Sequence, residues 1–368
     1  MNKAVKYRLY PTTEQKIMFV KTFGCCRKVY NLMLADKIAC YKKTKSFGKQ
    51  TPVMYKAEYP FLKEVDSLAL ANVQLNLQSA LKNCFDKSRK RQNGFPKFKS
   101  AKHSRKSYTT NNQKGTVAII DDRYIKLPKI GKIKAVIHRK PDADWTIKSA
   151  TISQDSDGKF YVSILFEYEK AITPAIISDN AVGIDYKSDG LYMDSNGYCP
   201  FGHKYYRQNQ EKLAQAQRKL KHMAIGSNNY KKQQCKIAKI QKHTSNQRLD
   251  FLHKESTKIT NLYDIVCVET LDMKAMSNKA FGNGKATMDN GYGMFLNMLE
   301  YKLANRGKYF VKVDKWYPSS QLCSCCGKQK KLTLADRIYK CDCGLTINRD
   351  HNAAINIKNE GLRILKSA

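Results

Sequence analysis

Acidic residues are scarce in this chain: 31 Asp and Glu stand against 67 Lys and Arg over 368 residues, a formal charge of +36. An excess of that size goes beyond what solubility needs. It points to an extended polyanion as partner, bound with an affinity that falls steeply as salt rises. Long apolar runs are missing as well. No stretch approaches the ~20 residues needed to span a bilayer. The opening Met-Asn-Lys-Ala-Val-Lys-Tyr-Arg-Leu-Tyr is broken by charge before any apolar segment forms, unlike a secretory signal. The expectation is a cytoplasmic, nucleoid-associated protein with no membrane partner. A disulfide framework is also absent from the pattern: of 12 cysteines, seven are scattered singly or sit in helix-like contexts such as Cys25-Cys26, which suits a reducing compartment.

What acid there is falls at informative places. Asp185 ends the apolar run Ala181-Val-Gly-Ile-Asp185, Glu269 ends Asp264-Ile-Val-Cys-Val-Glu269, and Asp350 opens the helix-like Asp350-His-Asn-Ala-Ala-Ile-Asn-Ile-Lys358. Each carboxylate stands at the end of an element. Two divalent cations about 4 Å apart need carboxylates gathered from different elements, and such a pair stabilises both the attacking and the leaving oxygen of a phosphodiester. Asp350 also faces the positive end of a helix dipole, which favours the ionised form a cation requires. The donors are hard oxygens and no histidine is clearly placed beside them, so two Mg²⁺ ions are the expected occupants. A strand with an Asp, a later strand ending in Glu and a final helix opening with Asp is the order expected of an RNase H-like sheet. The residues thus read as a metal-dependent nuclease.

Five cysteines cluster late, as Cys323-Ser-Cys-Cys326-Gly327 and then Cys341-Asp-Cys343-Gly344. Two thiolate pairs on glycine-ended turns suit one tetrahedral structural Zn²⁺ that orders a segment too small to fold alone. Cys325 is left over, able to substitute for a neighbour or to remain free.

The hydrophobic period divides the chain. Residues 3–9 alternate as a strand, and Thr12 or Thr13 caps a helix after Pro11. Helical spacing then runs to about residue 91, including a helix over Ser67–Lys90 with Leu70, Val73, Leu77, Leu81 and Phe85 on one face. Between about residues 94 and 168 the period becomes two, with five short strands around Val117–Ile120, Tyr124–Leu127, Ile133–Ile137, Ser149–Ile152 and Phe160–Phe166, a small β-barrel or curled sheet. Residues 171–180 read as a linker. After the Asp185 strand, further strands are expected at Leu191-Tyr-Met and near Cys199. A basic helical pair then spans about 204–258, broken at Gly226-Ser-Asn-Asn229, with 14 Lys and Arg against three acids. A mobile loop from Gly282 to Gly293, a helix to about Asn305 and the strand Tyr309–Val313 lead to the cysteines.

These residues carry a resemblance. Lys6-Tyr-Arg-Leu-Tyr-Pro11, Gly24-Cys-Cys-Arg-Lys-Val-Tyr-Asn31, Gly183-Ile-Asp185, Val268-Glu-Thr-Leu271, Trp316-Tyr-Pro-Ser-Ser-Gln-Leu-Cys-Ser-Cys-Cys-Gly327 and Asn348-Arg-Asp-His-Asn-Ala-Ala-Ile-Asn-Ile357 resemble the TnpB family, transposon-encoded relatives of type V CRISPR effectors, nearly end to end. The resemblance implies an α+β multidomain protein: a wedge β-barrel (1–10 and 93–172) with an inserted helical recognition lobe (11–92), then an RNase H-like (RuvC) α/β nuclease (180–317 and 346–368) interrupted by a zinc ribbon that loads target (318–345). It implies an RNA-guided DNA endonuclease, one protein with one RNA from the transposon end, that cuts double-stranded DNA beside a short target-adjacent motif. Asp185, Glu269 and Asp350 become its Mg²⁺ triad, and Cys323, Cys326, Cys341 and Cys343 its zinc ligands. Candidate nucleic-acid contacts are Asn72, Asn76, Arg89, Lys90, Arg91, Lys97, Lys99, Arg218 and Arg349. Two departures stand out: Asn348 occupies a position that is often Asp in the family, and Tyr186-Lys-Ser-Asp-Gly190 replaces a small-residue turn. The rival readings are a catalytically silent, zinc-containing binder acting as a guided repressor, and a strand-transfer transposase, whose carboxylates usually run Asp, Asp, Glu.

Overall fold

Alternation sets the first strand. In β1 (Asn2–Tyr10), Val5, Tyr7 and Leu9 are buried while Lys6 and Tyr10 face outward, as a strand with one face on a core requires. Thr12 then caps α1 (Thr13–Thr44): the Gln15 amide donates to Thr12 Oγ1 at 3.3 Å, and the Thr12 amide donates to Gln15 Oε1 at 3.1 Å. This reciprocal pair satisfies two donors that the first helical turn leaves open. The computed structural model describes residues 1–86, 94–175, 179–278, 284–333 and 336–367, and it divides into two units, Met1–Lys170 and Ala171–Ala368.

In the first unit, two short 3-10 turns (Pro52–Tyr55 and Pro60–Lys63) precede α2 (Ser67–Phe85), capped by Asp66. Leu70, Val73, Leu77 and Leu81 are buried as their spacing predicts. Phe85, expected on the same stripe, is 51% exposed, and the helix ends there rather than at Lys90 because Asp86 turns to extended backbone. Residues 87–90 of that expected helix lie outside the described residues. The strands β2 (Ser107–Asn111), β3 (Ala118–Ile120), β4 (Tyr124–Leu127), β5 (Gly131–Val136), β6 (Thr146–Gln154) and β7 (Phe160–Glu167) join β1 in one antiparallel sheet of order β2-β6-β7-β1-β5-β4-β3. No pairing closes β2 onto β3 among the described residues, so of the expected β-barrel or curled sheet the structure has a half-barrel sheet. Phe19, Val29, Met33, Leu70 and Leu77 of the two helices share a single core with Tyr7, Ile133, Val162 and Phe166 of the strands.

β2 escapes sequence reading because its sequence, Ser-Tyr-Thr-Thr-Asn, has almost no apolar alternation. Its inward Thr110 is fully buried and donates its hydroxyl proton to Asp66, the α2 cap, while Thr109 meets Thr151 of β6 at 2.8 Å. Paired hydroxyls do here what apolar side chains do in the other strands.

The second unit contains β8 (Ala181–Tyr186), β9 (Tyr192–Asp194), α3 (Tyr205–Lys221), α4 (Asn228–Leu262), β10 (Ile265–Glu269), α5 (Met273–Met276), α6 (Gly284–Asn290), α7 (Tyr292–Ala304), β11 (Tyr309–Val313), β12 (Ile338–Lys340), β13 (Thr346–Asn348) and α8 (Arg349–Lys366). The sheet runs β11-β10-β8-β9, with β10 parallel to both neighbours and β9 antiparallel. The strand expected near Cys199 does not form: β9 is followed by a turn in which Asp194 accepts the Asn196 and Tyr198 amides, at 2.9 and 2.8 Å, and bends the chain away. Part of the loop expected over 282–293 is helical, as α6 and the start of α7. The basic pair α3 and α4 breaks where Ser227 caps α4.

Successive side chains on a strand face opposite ways, and this sorts the sheet. Val182, Ile184, Val266 and Val268 pack with Leu252 and Ile259 of α4 and Phe295 and Leu299 of α7. The alternate positions face α8. There Gly183 and Gly361 permit unusually close crossing: a Cβ on Gly183 would lie 2.0 Å from the Ala354 carbonyl oxygen, and one on Gly361 would lie 2.3 Å from Cys267 Sγ.

Gly183→Ala is therefore expected to destabilise the protein by more than the roughly 1–3 kcal/mol usual for overpacking, since backbone must move. Gly24→Ala, in the α1 interior with nothing within 4 Å of the new methyl, is expected to stabilise by about 0.5–1 kcal/mol. Urea denaturation checks both, and equal effects would contradict the crossing.

Candidate active site

Register and face bring two of the predicted acids together. Ile184 pairs with Val268 across parallel strands, so Asp185 and Glu269, one residue further on each, lie side by side at the carboxyl ends of β8 and β10. Both point to the face that α8 covers, because Gly183 and Cys267, two residues before each, touch that helix. Asp350 lies in the first turn of α8. Asn348 caps this helix, accepting the Asp350 amide at 2.9 Å and the His351 amide at 3.2 Å. A residue that departs from the family's acid thus does the capping work for which Asn and Asp are nearly equal. His351 reaches the Ser195 carbonyl at 3.2 Å, beside Gly197, and so ties the helix start to the β9 turn.

The three carboxyl groups are partly exposed and electrostatically joined. Burial pushes the Asp185 pKa well above the ordinary carboxylate range, repulsion from Glu269 and Asp350 adds to this, and Arg349 opposes it. Burial raises Glu269 to about 7. Such a set is costly when ionised without a counter-charge, and a divalent cation is the counter-ion whose chemistry matches hard oxygen donors. Sequence reasoning missed Lys187, whose Nζ lies 3.9 Å from Asp350 Oδ2. It sits in the unusual Tyr186–Gly190 turn, which was the available signal.

The second cluster is tighter. The sulfurs of Cys323, Cys326, Cys341 and Cys343 lie within 4.8 Å of one another, with Cys323 to Cys343 and Cys326 to Cys341 each 3.6 Å apart. Tetrahedral coordination with bonds of about 2.3 Å requires sulfurs about 3.8 Å apart, far beyond a disulfide, so the four thiols fit a structural metal such as zinc. Burial opposes ionisation of Cys323, but the Cys326 and Cys325 amides and the neighbouring thiols outweigh it and draw its pKa down to about 7. Cys325 is exposed and lies outside the set. Among the described residues, no other group of potential ligands closes to this degree.

The candidate nucleic-acid residues scatter. Asn72 is occupied internally, donating to the Leu68 carbonyl at 2.9 Å and to Asn111 Oδ1 at 3.4 Å. With Asn76, Lys99, Arg27 and Arg105 it lines a concavity of about 240 Å³ in the first unit. Lys99 lies over the Tyr30 ring at 3.9 Å, and Lys97 is exposed. Arg218 is exposed on α3 and pairs with Glu211 at 2.8 Å. Arg349 is held between Asp350, at 3.7 Å, and the Thr333 carbonyl, at 3.1 Å. Arg89, Lys90 and Arg91 lie outside the described residues.

The fold is that of the Cas12f-type effectors: a chain from the cryo-EM structure of a Cas12f1–sgRNA–target DNA complex superposes with a TM-score of 0.63 at 14% identity, covering 98% of this chain and 99% of that one. Family models match residues 1–46 (helix-turn-helix domain), 163–280 (probable transposase) and 292–357 (Cas12f1-like, TNB domain). In this chain the first stretch is β1 followed by one continuous helix. A Streptomyces pristinaespiralis protein named "Putative RNA-guided DNA endonuclease" is 35% identical over 98% of this chain and 90% of its own length. InsQ of Escherichia coli strain K12, with the same description, is 30% identical over 99% and 93%. The chain belongs to the TnpB (IS605 OrfB) family.

The raised carboxyls make stability depend on pH. Glu269 holds its proton in the fold up to about 7, whereas in the unfolded chain it loses it near 4.5. The metal-free protein therefore loses stability as pH rises through that window. With EDTA present, Glu269→Gln is expected to gain stability relative to the parent between about pH 5 and about pH 8; a pH-independent difference between the two denaturation curves would refute this.

Proposed function

We propose that this protein is an RNA-guided DNA endonuclease that cuts double-stranded target by hydrolysis at Asp185, Glu269 and Asp350. The observation that carries this reading is the electrostatic interaction of Asp185 with Glu269 and Asp350, acids far apart in sequence that are carried by the carboxyl ends of two parallel strands and the first turn of the helix lying over them. Support also comes from relatives matched over nearly their whole length and described as guided endonucleases.

In this reading the three carboxylates hold two Mg²⁺ ions. When bound, these supply Lewis-acid stabilisation of the phosphodiester and an activated water for in-line attack. Asp185, which interacts electrostatically with both other acids, would hold the ions together with Glu269 and Asp350. Lys187 and Arg349, both beside Asp350, limit the negative charge before loading and stand where a phosphate arrives. The basic helices α3 and α4, Arg218 among their cations, hold a nucleic-acid backbone. Asn76, Lys97 and Lys99 of the first unit offer contacts to RNA or to the target-adjacent motif. The four-cysteine knuckle holds a structural Zn²⁺. Sequence choice rests on guide pairing, with the protein gripping the heteroduplex by its shape.

The test is purification with co-purifying RNA, sequencing of that RNA, and cleavage of matched duplex DNA in Mg²⁺. A defined RNA species ending in a variable guide is expected. Asp185→Ala is expected to lower the cleavage rate at least about a thousand-fold, equivalent to several kcal/mol of lost transition-state stabilisation, with duplex binding retained. Absence of a defined RNA, together with an uncut matched target, would return the chain to the class of unguided binders.

A further inference from the structure

Two buried asparagines on α8 are occupied by one partner segment. Asn352 is fully buried; it donates to the Leu322 carbonyl at 2.6 Å and accepts the Ser324 amide at 3.0 Å. Asn356, one turn later and also buried, donates to the carbonyls of Ser319 and Leu322, both at 2.8 Å. These bonds grip the peptide groups on either side of Cys323, the first thiol of the cysteine cluster. The second pair of thiols is tied to the same helix covalently, because Cys343 leads through β13 to Asn348, the α8 cap. Knuckle one, knuckle two, β13, the helix start and the asparagines therefore form a closed circuit once the four sulfurs are joined. Asp350 lies inside that circuit, two residues after the cap and two before Asn352.

We propose that Asn352 and Asn356 are positioning residues that couple the thiol cluster to the acidic site: closing the knuckle sets the rotation and height of the first turn of α8, and hence where Asp350 meets Asp185 and Glu269. This rests on the acidic site being the cation site proposed above. A buried amide that merely satisfied loop carbonyls would contribute stability alone. A coupling element also alters affinity at both ends, since residues that orient metal ligands from behind typically change metal affinity ten- to a hundred-fold when removed.

The experiment uses the full chain with its RNA and four variants, Asn352→Ala, Asn356→Ala, Cys341→Ser and the Asn352→Ala/Cys341→Ser double. Two quantities are read: the rate of zinc transfer to a chromophoric chelator, and the Mg²⁺ concentration for half-maximal cleavage. Asn352→Ala is expected to speed zinc release and raise the Mg²⁺ requirement, each roughly ten-fold, with the rate recovered at saturating Mg²⁺. The double variant is expected to need no more Mg²⁺ than Cys341→Ser alone, because both break one circuit. Unchanged zinc release with a Mg²⁺ requirement within about two-fold of the parent, or effects that simply multiply in the double variant, would overturn the coupling. If Asn352→Ala does not fold, Asn356→Ala must shift both quantities in the same direction, and a shift in neither overturns the proposal. If the parent itself cuts nothing, it is the endonuclease reading that has failed. Mn²⁺ affinity, measured by electron paramagnetic resonance on the same variants, then reads the coupling without cleavage.

Discussion

The close crossing of α8 over β8 and β10 is the constraint on which the second unit depends. Helix and sheet usually stand off by the depth of the side chains of both, but at Gly183 the strand backbone meets the helix backbone, and at Gly361 the helix backbone rests on the Cys267 side chain. Removing two side chains moves the helix inward, and this brings its first turn to the level of the strand ends. An ordinary side chain at Gly183 would hold Asp350 away from Asp185 and Glu269.

That geometry gathers negative charge in a chain with a large positive excess. Burial and mutual repulsion both favour protonated carboxyls at Asp185, so the arrangement works against folding unless a cation is held there. Lys187 and Arg349 compensate only in part, because each reaches Asp350 at nearly 4 Å rather than at hydrogen-bonding distance. Polar groups elsewhere in the unit are matched unevenly: the buried Tyr292 hydroxyl and Arg248 Nε find no hydrogen-bond partner. Asn352, Asn356 and the Asn348 cap are each bonded to specific backbone groups.

Much was legible beforehand where a local rule applied. The alternation of β1, the capping box at Thr12, the buried stripe of α2 up to Leu81 and the break at Ser227 follow from neighbours within a few residues. The four cysteines were legible because thiol spacing on glycine-ended turns is itself the ligand geometry. Reading failed where partners are remote or polar. β2 is held by hydroxyls whose partners, Asp66 and Thr151, lie about forty positions away. Phe85 keeps its helical period but lies half exposed at the helix end, meeting the rim of the core through Phe47 and Phe95, and the turn after β9 owes its course to one carboxylate, Asp194.

The chemical types, then, are written in the chain itself: three acids at element ends, four soft sulfurs in pairs, a surplus of cations for a polyanion. Local periodicity and capping assign each to an element, since those forces act over one or two turns. Their convergence is a different matter. Whether Asp185 and Glu269 share a face depends on strand register, whether Asp350 joins them depends on how near a helix may approach, and whether the cysteines touch the same helix depends on two asparagines. Each of these is a contact between segments distant along the chain, and only packing in three dimensions selects among the pairings that local rules leave equally open.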